Sequence, residues 1–159
     1  MKNSFKGLLE EWKYVRGLTK ILIEKLSDDD LDKGLPRNNL NTIRKQCEEL
    51  LEVQLCYVKA LDEGVIKFDG YSDEKLSGNT SKNELLKRCD ELDSLLVNKI
   101  GELEGNETIN WFVEEKIIYY HLSAMISHES MHVGQIVAFC YSTNIEIPKE
   151  IINNMALSN

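Results

Sequence analysis

The chain holds three histidines, His121, His128 and His132, and two of them stand four residues apart in the segment MISHESMHVGQIVAF, residues 125–139. On a helix that spacing puts both imidazoles on one face a single turn apart, roughly 6 Å along the axis. Two rings so placed can converge on one divalent cation. They can equally be core histidines hydrogen-bonded in a polar patch, and on spacing alone that reading is favoured. The surroundings raise the metal reading. Rings lying between Met125 and Phe139 are costly to bury unless their nitrogens are satisfied. Gly134 weakens a helix by about 1 kcal/mol relative to Ala, so it is expected to mark close backbone packing beside the pair. His121 lies about 10 Å along the axis from His128. It is expected to be a core or rim histidine with a hydrogen bond.

Two ligands seldom hold a metal, so a third is sought on another helix. In the second helical pattern the main apolar stripe is Ile43, Cys47, Leu50, Tyr57, Val58 and Leu61, and a smaller one carries Val53, Cys56 and Ala60. Glu49 aligns with the smaller stripe, whereas Glu48 and Glu52 align toward Lys59 and read as solvated. A carboxylate among apolar positions is expensive unless it meets a cation or donor. Two imidazoles and a carboxylate make a divalent site with positions left open for water or substrate. Glu49 reads equally as a surface carboxylate at the edge of its stripe.

Long helices must position these groups. The first runs from about Phe5 to Leu26, with Phe5, Leu8, Trp12, Val15, Leu22 and Leu26 at helical spacing. Asp28 to Asp30 suit a short helical turn, which Gly34 and Pro36 stop. The second helix spans about Asn41 to Glu63, with Gly64 as its terminator. Ser81 and Glu84 have capping-box spacing and open the third, whose stripe is Leu85, Cys89, Leu92, Leu96 and Leu103, with Gly105 as its end. The fourth is expected from about Glu114 to Ser142, and a short one after Pro148. The loop GVIKFDGYSDEKLSGNT is long enough to line a site or cover one end of the bundle. TINWFV has a β-like composition but is too isolated to build a sheet. The expected architecture is an all-α, four-helix bundle with a short C-terminal helix, one domain over residues 1–159.

On the fourth helix, Ile118, His121, Met125, His128, His132, Gln135 and Phe139 form a stripe expected to face the core. A second stripe, Tyr120, Ala124, Ser127, Met131, Gly134 and Ala138, is small enough to admit another backbone. A third is apolar, so the helix is expected to be buried on several sides, as a central helix or a dimer contact.

The bulk composition narrows the partners. A net charge of −8 without a basic stripe argues against nucleic acid. Cys47, Cys56, Cys89 and Cys140 fall in apolar-periodic segments with no CxxC pair, and read as reduced core thiols. Charges throughout MKNSFKGLLEEWKYVRG argue against a signal peptide, and no apolar run suits a membrane span. A cytoplasmic protein acting on a small molecule is expected.

SHESMHVGQIVAF resembles the fourth-helix signature of the DinB/YfiT-like proteins, and LSDDDLDKGLPRNNLNTIRKQCEELLEVQLCYVKAL resembles that family's segment from the end of helix one through helix two. The resemblance implies an up-down-down-up four-helix bundle, often a homodimer. It also implies a divalent metal, usually zinc or nickel, bound by three histidines. Two of these map onto His128 and His132, and Glu49 occupies the position of the third. Known members include transferases that use low-molecular-weight thiols such as bacillithiol or mycothiol, and metal-dependent hydrolases.

Three functions are therefore in competition. The first is an enzyme in which Glu49, His128 and His132 hold a metal that activates a small thiol or water. The second is a non-catalytic, stress-related bundle that binds a small ligand around a degenerate metal site. The third is an interaction protein whose fourth helix is buried in a homodimer.

Overall fold

Phe5, Leu9, Trp12, Val15 and Leu22 are buried along one side of α1 (Asn3–Lys25), the first helix of this computed structural model. The structure describes residues 3–34, 41–69, 76 and 78–157. Ser27 then caps α2 (Asp28–Leu31): its hydroxyl accepts from the Asp30 amide, and the Asp30 carboxylate accepts from the Ser27 amide. Gly34 follows as coil, and Pro36 lies outside the described residues. Thr42 caps α3 (Ile43–Glu63), which Gly64 ends in the left-handed conformation at φ 68°. The Ser81–Glu84 capping box opens α4 (Lys82–Glu102), as its spacing predicts. Pro148 precedes the short α6 (Lys149–Met155).

Between α4 and the last long helix the expectation fails. TINW and EEKI pair as an antiparallel hairpin of β1 (Thr108–Trp111) and β2 (Glu114–Ile117), with Thr108 opposite Ile117 and Trp111 opposite Glu114. Phe112 and Val113 make the turn, and Phe112 takes φ 55°, the positive φ that a two-residue hairpin turn demands. The hairpin is not isolated. The Ile66 amide donates to the Asn110 carbonyl, and the Asn110 amide donates to the Gly64 carbonyl, at 3.0 and 2.8 Å. This tethers it to the chain leaving α3. In consequence α5 (Ile118–Thr143) starts four residues later than the pattern suggests.

Side-chain contacts give the helix directions. Lys20 and Arg16 meet Asp90 and Asp93, so α1 and α4 run antiparallel. Gln54 and Asp62 on α3 meet Asp93 and Lys99 on α4, so these two run parallel. Phe5 stacks on Tyr119, and Thr19 bonds Glu129, so α5 runs with α1. His121 meets Tyr57, and His132 lies near Glu49, so α5 is antiparallel to α3. The four long helices are thus an all-α bundle in up-down-down-up order. Its core includes Trp12, Leu22, Ile43, Leu51, Leu92, Leu96 and Ile136, and all four cysteines are buried as free thiols. No helix among the described residues is long and apolar enough to cross a membrane.

Candidate metal centre

The antiparallel packing of α3 on α5 brings one turn of each together. Oε1 of Glu49 lies 3.9 Å from Nε2 of His132. The His128 and His132 rings stand 4.7 Å apart between centroids, tilted by 59°. One donor atom from each of Glu49, His128 and His132 falls within 4.8 Å of the others. All three residues singled out from the sequence therefore share one place.

The electrostatics there suit a cation. His132 is 4% exposed, and neither of its ring nitrogens has a hydrogen-bond partner among the described residues. Such orphaned buried nitrogens cost about 1–3 kcal/mol. Burial holds the His132 imidazole below its ordinary pKa, with the Glu49 carboxylate pulling the other way. Burial, and then the neighbouring His132, push His128 down to about 4. Both rings are neutral at physiological pH, the form that donates a lone pair to a metal. The Glu49 side chain is 43% exposed, so the cluster opens to solvent on that side and leaves room for a further ligand. A nitrogen–nitrogen–carboxylate set of this kind is one that catalytic zinc sites use. The residues present fit the group.

The neighbouring acids behave differently from their helical phase. Glu48 is fully buried, not solvated. Its carboxylate accepts the Thr80 amide at 3.1 Å and the Lys45 ammonium at 3.2 Å. Burial pushes its pKa up, but these partners outweigh that and hold it below the usual range. Glu52 accepts the Leu76 amide at 2.8 Å. The returning loop supplies the two amides, of Thr80 and Leu76, from its backbone, which side-chain periodicity cannot reveal. Residues 70–75 and 77 of that loop lie outside the described residues, so they add nothing to the expectation that it lines the site.

His121 has its expected role: Nε2 donates to the Tyr57 carbonyl at 3.1 Å. Gly134 does not. A side chain there would meet nothing within 4 Å, and Gly134, Gln135, Met131 and Ala138 are exposed. Thus α5 is buried on one side only, through Leu122, Met125, Ile126, His132, Val133 and Ile136.

That buried face also carries Glu129, which the sequence reading passed over. It is 2% exposed, 3.1 Å from Arg16, and it accepts the Thr19 hydroxyl. Burial pushes its pKa up, and Arg16 and Thr19 oppose this. The signal was available: Glu129 lies in phase with Leu122, Ile126 and Val133, and is the sole acidic residue of α5. A groove of about 440 Å³ lies away from the cluster, against Tyr141, Ile145, Ile147 and Ile152.

The model of the DinB family matches residues 1–140. Among solved structures, the chain is similar to the DinB-like protein YjoA from Bacillus subtilis, with a TM-score of 0.69 and 16% identity over 90% of this chain and 96% of that one. It is also similar to a DinB-like protein from Bacillus cereus ATCC 10987, with a TM-score of 0.72 and 16% identity over 90% and 95% of the two chains. No curated protein matches the sequence.

Proposed function

The chain belongs to the DinB family, and from that premise we propose that Glu49, His128 and His132 hold a divalent cation, zinc or nickel, for work on a small-molecule substrate. The reaction classes that fit are transfer of a low-molecular-weight thiol and hydrolysis. One observation carries the reading: a buried His132 with both nitrogens unpartnered, 3.9 Å from a carboxylate on another helix.

A cation held there supplies Lewis acidity, which lowers the pKa of a bound thiol or water. The rest falls to the chain. His128 and His132 present neutral nitrogens from one face of α5, and Glu49 adds a negative charge from α3. The exposed flank of Glu49 gives a small ligand access. Glu48, anchored to Thr80 and Lys45, is kept from competing as a ligand. The net charge of −8 disfavours polyanionic substrates.

Metal content by mass spectrometry tests this, comparing the purified chain with the His128→Ala, His132→Ala double variant. Stoichiometric metal lost in the variant is expected; negligible metal in both defeats the proposal. A second reading keeps the metal without chemistry. It is favoured by Glu49 standing at a half-exposed position as the sole carboxylate of the cluster among the described residues. Metal-dependent turnover of thiol-transfer or ester substrates decides for the enzyme.

A further inference from the structure

Asn144 ends α5 in the left-handed conformation, and the Ile145 amide donates back to the Cys140 carbonyl at 2.9 Å. Ile145 and Ile147 are then buried while Glu146 between them is exposed, the alternation of an extended chain. Pro148 keeps Ile147 extended and leads into α6. Two contacts fasten α6 to α1: the Tyr14 hydroxyl donates to the Asn154 carbonyl at 2.9 Å, and Lys25 lies 3.6 Å from Glu150. The groove of about 440 Å³ between the end of α5 and α6 is therefore walled by anchored structure.

Its volume falls in the range of about 300–1,000 Å³ that small-molecule sites occupy. Its floor is aliphatic, made by Ile145, Ile147 and Ile152, with the Tyr141 ring beside them. Its edge is unpaired backbone. Among the described residues no hydrogen bond reaches the amide or the carbonyl of Glu146. In an extended chain these two groups point to one side, away from the Ile145 amide that Cys140 already uses. One residue of an extended peptide laid alongside can exchange both bonds with such a pair. Glu146 and Lys149 stand exposed on the rim, and among the described residues neither makes a side-chain hydrogen bond or salt bridge.

Charge selects among apolar ligands. A fatty acid would satisfy Lys149 and be repelled by Glu146, and an apolar amine would do the reverse. A zwitterion meets both. Length then selects among zwitterions. The α-carbons of residues 146 and 149 are three steps apart, up to about 10 Å in an extended chain. A free amino acid carries both charges on one carbon and cannot span this. Two or three peptide residues, at roughly 3.3–3.6 Å each, can.

We propose that the groove between α5 and α6 binds a free apolar di- or tripeptide, with its ammonium at Glu146, its carboxylate at Lys149, its backbone paired to that of Glu146, and its side chains on Ile145, Ile147 and Ile152. Tyr141 lies nine residues beyond His132, about 13 Å along α5, so this site stands apart from the metal cluster and does not depend on it.

Calorimetric titration of the full chain with leucyl-leucine is expected to give saturable binding, with a dissociation constant on the order of 0.1–1 mM for a ligand of this size. N-acetyl-leucyl-leucine amide lacks both charges, and glycylglycine lacks the apolar side chains. Each is expected to bind about 10-fold more weakly or worse, as is free leucine. Lys149→Gln and Glu146→Gln should each weaken leucyl-leucine about 3- to 5-fold, and Ile152→Glu about 10-fold or more. None of these three positions is buried, so circular dichroism should show unchanged helix content. In amide-resolved NMR the Glu146 resonance should move downfield as the peptide saturates. Absence of saturable binding up to about 10 mM overturns the proposal, as does binding indifferent to Lys149→Gln, Glu146→Gln and Ile152→Glu. Equal affinity for the blocked peptide or for leucine overturns it too. So do resonance shifts centred on Glu49, His128 and His132, which would assign the peptide to the metal cluster.

Discussion

Glu129 stands between His128 and His132 in sequence and on the buried side of α5, where its Oε1 lies 3.1 Å from Nη1 of Arg16 on α1. The same guanidinium donates to Gln54 on α3 at 2.5 Å and lies 3.2 Å from Asp93 on α4. One buried cation therefore ties the four long helices together. It also fixes the rotation of α5, because a helix whose Glu129 faces α1 must turn His132 toward α3.

Removing that cation leaves Glu129 buried without its counter-charge. Arg16→Met is expected to destabilise the fold by about 3–5 kcal/mol, read from urea unfolding at neutral pH. Glu129→Gln keeps an acceptor for the Thr19 hydroxyl and leaves Asp93 on Arg16, so about 1–3 kcal/mol is expected. An Arg16→Met variant as stable as the parent would mean that the network positions nothing.

Metal binding should appear as stability. A cation at a hundred times its dissociation constant adds about 2.7 kcal/mol to a folded state that alone binds it. For a chain of this length that raises Tm by roughly 5–10 °C. Zinc or nickel titration followed by thermal unfolding measures it, with chelator reversing the shift and His132→Ala abolishing it. Glu49→His replaces an oxygen donor by a third nitrogen at the same place on α3. It should tighten binding, whereas Glu49→Gln should loosen it. A Glu49→His variant with unchanged affinity would remove Glu49 from the ligand set.

The bundle was legible where local chemistry and long-range packing agree. Ser81, Glu84 and Gly64 have side-chain or backbone roles confined to a few residues, and they fall where expected. Glu49 was legible because its helical phase, which the chain encodes locally, already aims it at the α5 side of α3. The hairpin was hidden because its strands are four residues each and gain their third neighbour from Val65, far away in sequence. Glu48 was misread because the Thr80 amide that meets it, beside Lys45 of its own helix, lies on a returning loop. Gly134 misled because a helix glycine also suits a face that nothing in the same chain covers.

Acid should destabilise the protein through its histidines. Burial holds His121 below its ordinary 6.5, against the pull of the Tyr57 carbonyl, and holds His128 at about 4. The unfolded chain takes up protons on these rings as pH falls through 6.5, while the folded chain resists until lower pH. Stability is therefore complete above pH 6.5 and declines below it. His121→Gln keeps an N–H for the Tyr57 carbonyl and cannot titrate. Its urea midpoint should fall less steeply between pH 7 and about 5 than that of the parent; parallel declines would show that His121 is not protonated on unfolding.

Gly105 turns the chain from α4 toward the hairpin at φ 97°, and a methyl group built on it would stand 2.9 Å from the Tyr119 hydroxyl and 3.8 Å from the Phe5 ring. Tyr119 cannot retreat freely, because its ring stacks on Phe5 at 4.9 Å. Gly64 also has positive φ, at 68°, but open space lies around it. Gly64→Ala thus meets only the backbone cost of a left-handed residue, about 1–2 kcal/mol. Gly105→Ala meets that cost and the clash as well, and should be the more destabilising by about 1 kcal/mol. The clash has one identified atom, so it can be separated. In a Tyr119→Phe background, which lacks the hydroxyl, Gly105→Ala should cost no more than Gly64→Ala does. A double-mutant cycle with no coupling between positions 105 and 119 would show that backbone conformation alone selects the glycine.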